Sequence, residues 1–208
     1  MLIPYKKIIE KYNLNIKNIL HIGAHNAEEK DDYFDNGCKK VIWVEANPQL
    51  IENLSKTIKD DNNIILEAII SNIDNKEINF NLTNNGQSSS ILNLGLHKNL
   101  FPDIVVNKTI CTKTITIKTL FEQNKLSIKD IDFINLDIQG AELLALQGIG
   151  DELENVKAIF TEINTDYVYE NCALVEQIDY FLSLYSFNRV ETVMWCDHPW
   201  GDALYVKQ

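Results

Sequence analysis

Short apolar runs alternate with longer segments of helical period along this chain of 208 residues. The runs are rich in β-branched residues, and several are apolar almost throughout, which is typical of strands covered on both faces. Strands are predicted at 18–22, 41–45, 64–70, 76–82, 112–116, 133–137, 158–163 and 203–206. Helices are predicted at 5–12, 28–34, 48–59, 117–124, 141–147 and 174–185. The alternation predicts an α/β fold with a mostly parallel sheet and helices on both faces.

The length suits one domain over 1–208, with 1–17 as an N-terminal helical extension. The stretch 84–108 is the least regular and is rich in Asn, Ser and Gly, so we predict an active-site loop there.

The charge balance excludes some partners. There are 19 Lys and Arg against 30 Asp and Glu, a net charge of −11 without a basic patch, so nucleic acid would be repelled. No apolar run is long enough to cross a membrane. The four cysteines lie far apart and form no C-x-x-C pair, which argues against zinc and a disulfide framework. We therefore expect a cytoplasmic protein with a neutral or small partner; the oligomeric state is left open.

A glycine loop follows the first predicted strand, with Gly23, Ala24, His25 and Asn26 in sequence. One glycine is too few for a dinucleotide fingerprint, and the loop lacks the Lys and Ser/Thr of a P-loop. A cofactor without a pyrophosphate fits better, although a single glycine after a strand is often only a turn.

Glu45 ends the second predicted strand, about 20 residues beyond the glycine loop. A carboxylate there can accept hydrogen bonds from ribose hydroxyls. An isolated Glu at a strand end would be read as a solvated acid. The order strand, glycine loop, helix, strand and acid instead favours a nucleoside ligand, which NAD enzymes also bind.

Asp137 ends another buried strand, Gly140 allows a tight turn, and Glu142 lies in the first turn of the next helix. Glu142 has two readings, a helix-capping carboxylate or a functional acid. Asp137 leaves its strand beside the expected cofactor cleft.

These blocks, His-Ile-Gly-Ala-His, Val-Glu-Ala-Asn-Pro and Leu-Asp-Ile-Gln-Gly-Ala-Glu-Leu, together with the closing Trp-Gly-Asp-Ala-Leu-Tyr-Val, resemble the FkbM-type methyltransferases from about Ile19 to Val206. The resemblance implies a Rossmann-like class I fold with a seven-stranded sheet, S-adenosylmethionine as methyl donor, and O-methylation. The cofactor residues that it implies are Gly23, Ala24, His25, Asn26, Glu45, Ala46, Asn47, Glu67, Ala68, Ser88, Ser89, Asp137, Ile138 and Gln139. His25 departs from the small or polar residue expected in the family, so its role is open.

Removing a proton from an acceptor hydroxyl requires a base, and we predict Asp137, Glu162 or His198 as catalytic residues. Glu142, His25 and Asp202 are further candidates. His21 is expected to be packed inside its strand, and His97 to be solvated in a mobile loop.

The predicted acceptor-binding residues are Glu142, Asn164, Trp200 and Asp202, which suit a carbohydrate or glycan hydroxyl. Tyr167, Tyr169 and Trp195 either add to this platform or fill core. Asp137, Glu162 and Asn164 also form an oxygen-rich set for Mg²⁺, a possibility that sequence spacing leaves open. The sequence also allows a polyketide-like or small-molecule alcohol as acceptor, an NAD-dependent oxidoreductase, and a non-catalytic cofactor-binding protein.

Overall fold

The computed structural model describes all 208 residues. The strands are β1 (Asn18–Ile22), β2 (Lys40–Glu45), β3 (Asn63–Glu67), β4 (Glu77–Thr83), β5 (Val106–Lys113), β6 (Phe133–Leu136), β7 (Ala158–Asn164), β8 (Phe187–Met194) and β9 (Trp200–Lys207). The helices are α1 (Tyr5–Lys11), α2 (Lys30–Asp35), α3 (Pro48–Thr57), α4 (His97–Leu100), α5 (Ile117–Gln123), α6 (Glu142–Ile149) and α7 (Val175–Ser183). Short 3₁₀ helices span Ile128–Asp130 and Gly150–Asn155.

Seven strands form the central sheet in the order β3-β2-β1-β6-β7-β9-β8. Neighbours from β3 to β7 pair in parallel, and β9 runs antiparallel to both β7 and β8. The predicted α/β class with a mostly parallel seven-stranded sheet is confirmed.

Side chains alternate between the two faces of the sheet, and each face carries its own apolar core. On one face, Leu20 and Ile134 pack with residues of α5, α6 and α7. On the other, Ile19 and Phe133 pack with Tyr5 of α1 and other residues of α2 and α3. Helices therefore cover both faces, as the apolar runs of the strands predict.

Local sequence fixes where helices begin beside the cavity. The Asn47 side chain accepts a hydrogen bond from the backbone N–H of Gln49, and Pro48 occupies the first helical position of α3. Thr116 caps α5 in the same way by accepting from Thr119. Both are favourable N-terminal signals, so β2 passes into α3 through a short, fixed turn.

Three sequence predictions differ from the structure. Of the strand expected at 112–116, only residues 112 and 113 belong to a strand, β5, which begins at Val106 and pairs antiparallel with β4 in a separate two-stranded sheet. The predicted loop 84–108 thus contains α4 and the start of β5. Strand β8 was not predicted, because as an edge strand it is mostly exposed and has no apolar run. No helix has the length and apolar character needed to cross a bilayer.

Candidate functional site

A cavity of about 650 Å³ opens at the carboxyl ends of β1, β2, β6 and β7. Its wall includes Gly23, Glu45, Asp137 and Glu162, one residue from the end of each of these strands or the loop after it. The strand order reverses between β1 and β6. Ligands of open α/β sheets bind at this reversal.

Gly23 lies where two loops touch. It has a φ of 87°, and a Cβ on this residue would stand 1.7 Å from the backbone oxygen of Asp137. No side chain fits at that distance, so only glycine allows the turn after β1 to rest on the end of β6.

Glu45 holds the glycine loop against the end of β2. It is 7% exposed, and its carboxylate accepts backbone N–H groups from His25 at 2.9 Å, Ala46 at 2.8 Å and Asn47 at 2.7 Å. Burial raises the pKa of Glu45, and these three donors oppose the rise. A carboxylate offers about four lone-pair positions, so one remains for a ligand hydroxyl.

His25 forms an ion pair within the glycine loop, its Nδ1 lying 2.6 Å from Oε1 of Glu28. The hydrogen bond from Glu28 raises the pKa of His25, and burial opposes it. Burial would raise the pKa of Glu28, but the bonds from His25 and from the backbone outweigh it and lower the value to about 2. Glu28 thus favours the cationic form of His25, which lies on the cavity wall within the loop expected to hold the methionine end of the cofactor.

Three acids meet at the end of β6. Asp137, Glu142 and Glu162 each place a carboxylate oxygen within 4.8 Å of the others. Glu142 lies behind the cavity wall, where its Oε1 accepts the backbone N–H groups of Ile138 and Gly140, both at 3.0 Å.

Burial raises the proton affinity of all three acids. Burial, with help from the neighbouring Asp137, raises the pKa of Glu142 to about 7. Burial and the negative charges of Asp137, Glu142 and Asp202 raise the pKa of Glu162 well above its ordinary value. Burial also raises the pKa of Asp137, although the hydrogen bond from Gln139 opposes this. At neutral pH the group therefore shares protons and does not carry three full charges.

The acids do not form an open cation site between Asp137 and Glu162. The Nε2 of Gln139 donates to Oδ1 of Asp137 at 2.6 Å and to Oε2 of Glu162 at 2.9 Å. Two N–H donors between these carboxylates would repel a cation bound there. Asn164, the third member of the oxygen-rich set, is fully buried, its side-chain amide has no hydrogen-bond partner, and it does not line the cavity. The arrangement therefore does not fit Mg²⁺, which the sequence leaves open.

Asp202 of β9 pairs with Glu162 of β7 in register, and both acids line the cavity. Burial raises the pKa of Asp202 to about 6, while the backbone N–H of Leu2 donates to its Oδ2 at 2.6 Å. Trp200 lies two residues before Asp202 on the same strand and stacks on Trp195, with ring centroids 5.6 Å apart. An aromatic edge and a polar wall thus flank one end of the cavity.

Residues 21–189 match the model of the methyltransferase FkbM domain. The chain belongs to the FkbM methyltransferase family. It is therefore an S-adenosylmethionine-dependent methyltransferase, and the predicted family is confirmed. No curated protein sequence matches the chain significantly.

Solved structures share the fold of this FkbM methyltransferase at low sequence identity. An FkbM methyltransferase from Methylobacillus flagellatus aligns with 98% of this chain and 48% of its own, at 14% identity and a TM-score of 0.57. The TrmK protein of M. capricolum, solved with S-adenosylhomocysteine, aligns with 100% of this chain and 70% of its own, at 12% identity and a TM-score of 0.53. Magnesium protoporphyrin IX methyltransferase from Synechocystis, solved with bound S-adenosylmethionine, aligns with 97% of this chain and 74% of its own, at 9% identity and a TM-score of 0.52. The chain thus spans about half the length of the Methylobacillus protein.

Most residues predicted for the cofactor surround this cavity of the FkbM fold. Those on its wall are Gly23, Ala24, His25, Glu45, Ala46, Ala68, Ser88, Ser89, Asp137, Ile138 and Gln139. Asn26, Asn47 and Glu67 do not line it: Asn26 and Glu67 are exposed, and Asn47 caps α3.

Of the predicted catalytic and acceptor-binding residues, some line the cavity and others do not. Asp137, Glu162, Trp200 and Asp202 line the cavity. Glu142 and Asn164 are buried behind it, and His198 lies outside it. The His198 ring instead packs on Phe101, with centroids 5.1 Å apart.

The prediction that His97 is solvated is wrong. His97 begins α4, is 4% exposed, and packs between Phe101 and Tyr169. Its Nε2 lies 3.0 Å from the Ser88 hydroxyl, and burial lowers its pKa. The expected solvation fails because the segment folds back over the cavity and is not an open loop. His21 is buried in β1, as expected of a packed histidine.

The sequence analysis does not assign two residues that contact the candidate site residues, Glu28 and Tyr169. Glu28 was not predicted at the site, although its spacing of three residues from His25 is a usable signal for a local ion pair. The sequence suggests Tyr169 only as an aromatic platform or core residue, yet it is 1% exposed and its hydroxyl reaches Oε1 of Gln139 at 2.5 Å. No local pattern marks that contact, because it joins residues 30 positions apart.

Proposed function

We propose that this methyltransferase methylates a hydroxyl of a carbohydrate or glycan acceptor. The observation that carries the proposal is the pair of carboxylates, Asp137 and Glu162, on the wall of the cavity beside the aromatic edge at Trp200. A hydroxyl needs a base nearby as its oxygen is methylated, and a polyhydroxylated ring needs several polar partners for orientation.

The cofactor site consists of the glycine loop and the end of β2. Gly23, Ala24 and His25 would contact the methionine end, and Glu45 would accept a ribose hydroxyl with its remaining lone pair. When bound, S-adenosylmethionine supplies an electrophilic methyl group on a sulfonium. The protein's own part is to hold the acceptor oxygen in line with that methyl group.

The proton of the acceptor hydroxyl would pass to a carboxylate oxygen of Asp137 or Glu162. Burial raises the pKa of both acids, and a base works best when its pKa lies near the working pH. Glu142 accepts only backbone donors behind the wall, so its contribution is electrostatic.

The charge of the cavity favours a neutral acceptor over nucleic acid. Its wall contains Glu28, Glu29, Glu45, Asp137, Glu162 and Asp202 and no Lys or Arg. Phosphate groups are normally bound by Lys, Arg or helix N-termini, and the whole chain carries a net charge of −11. A polyketide-like or other small alcohol is the second candidate, because it would use the aromatic edge with fewer polar partners.

Direct binding and turnover separate this enzyme from two further classes of protein. Family membership argues against an NAD-dependent oxidoreductase, which would bind NAD in preference to S-adenosylhomocysteine. A non-catalytic protein would bind the cofactor without methylating any acceptor.

Methyl transfer from labelled donor decides between the acceptors. The enzyme is offered free oligosaccharides, nucleotide sugars, catechols, polyketide alcohols and RNA, with Asp137→Asn and Glu162→Gln as test variants and exposed Glu122→Gln as the matched control. Label on oligosaccharide that is lost in at least one test variant and kept in the control supports the proposal. Preferential labelling of RNA or of a phenol contradicts the carbohydrate assignment, and label unaffected by excess chelator excludes a required Mg²⁺.

A further inference from the structure

Gln139 occupies an unusual position in the turn between β6 and α6. Its φ is 58°, in the left-handed region that few residues other than glycine adopt. The conformation is held by the Ser90 hydroxyl, which donates to the Gln139 main-chain carbonyl at 2.8 Å. A glutamine kept there against its backbone preference points to a use for its side chain.

Both the nitrogen and the oxygen of the Gln139 side-chain amide form hydrogen bonds. Nε2 donates to Asp137 at 2.6 Å and to Glu162 at 2.9 Å, so each of its two N–H groups meets a different carboxylate. Oε1 accepts the hydroxyl of Tyr169 at 2.5 Å.

Tyr169 sets the orientation of the Gln139 amide, because its hydroxyl donates a hydrogen bond to Oε1. If the amide were flipped by 180°, the Tyr169 hydroxyl would face the NH₂ group. The carboxylates of Asp137 and Glu162 would then face the amide oxygen, which cannot donate a hydrogen bond to them. Tyr169 is 1% exposed and comes from the segment after β7, so the ring is fixed by the surrounding protein. Burial raises the pKa of Tyr169, which keeps its proton on the hydroxyl.

We propose that Gln139 is a positioning residue that holds Asp137 and Glu162 in place and favours their charged forms, with Tyr169 fixing the direction of its amide. The inference rests on the proposed role of these two acids as proton acceptors. Without the two N–H donors of the amide, the repulsion between the carboxylates is no longer offset, and the proton affinity of the pair rises further. A protonated acid cannot accept the proton of the acceptor hydroxyl.

Several other charged or titratable groups act on this pair and define its surroundings. They are Glu142 from α6, Asp202 from β9, His25 and Glu29 from the segment after β1, the amino terminus, and Tyr169. Glu142, Asp202 and Glu29 disfavour a further negative charge, whereas His25 and the amino terminus favour it. Gln139 is the neutral group that donates to both acids at once.

The test is a carbon-13 NMR titration of the side-chain carboxyls in protein labelled at Asp and Glu. Signals are assigned with Asp137→Asn and Glu162→Gln. In Gln139→Ala we expect the apparent pKa of the pair to rise by about one unit or more, a tenfold gain in proton affinity, because both donors are lost. Tyr169→Phe should move it in the same direction by less, because the donors remain but are no longer oriented.

Gln123→Ala is the matched control, since Gln123 is exposed at the end of α5 and should leave the titration unchanged. A purely structural role would predict the same titration in all folded variants. Wild-type titration in both Gln139→Ala and Tyr169→Phe overturns the proposal, and if Gln139→Ala does not fold, Tyr169→Phe decides alone. The titration uses neither S-adenosylmethionine nor a methyl acceptor. Its outcome therefore does not depend on whether the methyl-transfer assay succeeds or fails.

Discussion

Glu45 is the side chain that holds the proposed cofactor site together through the most backbone hydrogen bonds. It is buried and already joins the glycine loop to β2 through three backbone N–H groups. Loss of a hydrogen bond to a charged group costs about 1.5–3 kcal/mol, so Glu45→Ala should weaken S-adenosylmethionine binding at least tenfold. Isothermal calorimetry measures this, with exposed Glu77→Ala as control. Unchanged affinity in Glu45→Ala would remove Glu45 from the site.

Glu162 and Asp137 are tested by the isosteric amide. Glu162→Gln or Asp137→Asn removes a proton acceptor without changing shape, and loss of general-base assistance costs about 10²–10⁴-fold in turnover. The comparison uses single-turnover rates on the acceptor found by the labelling screen. Exposed Glu122→Gln is expected to retain full activity. Full turnover in both amide variants would mean that neither acid takes the proton.

At the residue scale, the sequence predicts the place of a side chain where that place follows from the neighbouring strand. Gly23, Glu45 and Asp137 each end a strand or follow one, so their positions at one sheet edge follow from chain order. His198 is predicted from its residue type in a segment before a strand, and packing on Phe101 takes it out of the cavity. Tyr169 and Gln139 meet only through tertiary structure, which no spacing rule contains.

At the scale of elements, the contact between the β1–α2 turn and the end of β6 should be intolerant of any side chain. Gly23→Ala places a Cβ 1.7 Å from the Asp137 oxygen, so the two loops must separate. Gly86→Ala is the control, because Gly86 also has a positive φ, of 76°, but nothing lies within 4 Å. Both variants carry the backbone cost of about 1 kcal/mol, and only Gly23→Ala adds the collision.

Thermal melting measures the difference between these two glycine variants. The melting temperature should fall clearly further for Gly23→Ala than for Gly86→Ala, and Gly23→Val should fall at least as far. Equal melting temperatures would show that the two loops separate at no cost.

The strands that are buried on both faces were predictable, because their burial requires an apolar run in the sequence. The inner strands β1, β2, β6 and β7 are apolar on both faces, and their predicted bounds lie close to the observed ones. Strand β8 alternates little and exposes Arg189 and Val190, so its pairing with β9 decides its structure more than its own residues do. The same holds for β5, whose exposed residues extend the hairpin with β4.

At the scale of the whole molecule, the buried acids should make stability fall as pH rises. The folded pKa values of Glu142, at about 7, and Asp202, at about 6, lie above those of free side chains. The folded state therefore binds more protons than the unfolded state between about pH 4.5 and 7, and the stability present below this range is lost as pH rises through it. The lowered pKa values of His21, about 4, and of Glu28, about 2, act in the opposite direction, His21 below about pH 6.5 and Glu28 below about pH 4.5.

Denaturant unfolding between pH 5 and 8 checks this pH dependence. The free energy of unfolding should decrease over the range, and Glu142→Gln should flatten the decrease because glutamine keeps an acceptor for Ile138 and Gly140 without titrating. Glu122→Gln should leave the slope as in the unaltered protein. A decrease as steep in Glu142→Gln as in the unaltered protein would contradict the raised pKa of Glu142.

The contact of Gly23 with Asp137, together with the three bonds of Glu45, has a consequence for binding kinetics. The glycine loop of the proposed cofactor site is held by the Glu45 carboxylate and rests on the backbone of Asp137 before any ligand enters. A ligand then has little conformational entropy to remove from the protein. Amide hydrogen exchange at Gly23, Ala24 and His25 should already be slow without ligand, and cofactor association should follow one exponential phase, its rate proportional to cofactor concentration without reaching a plateau.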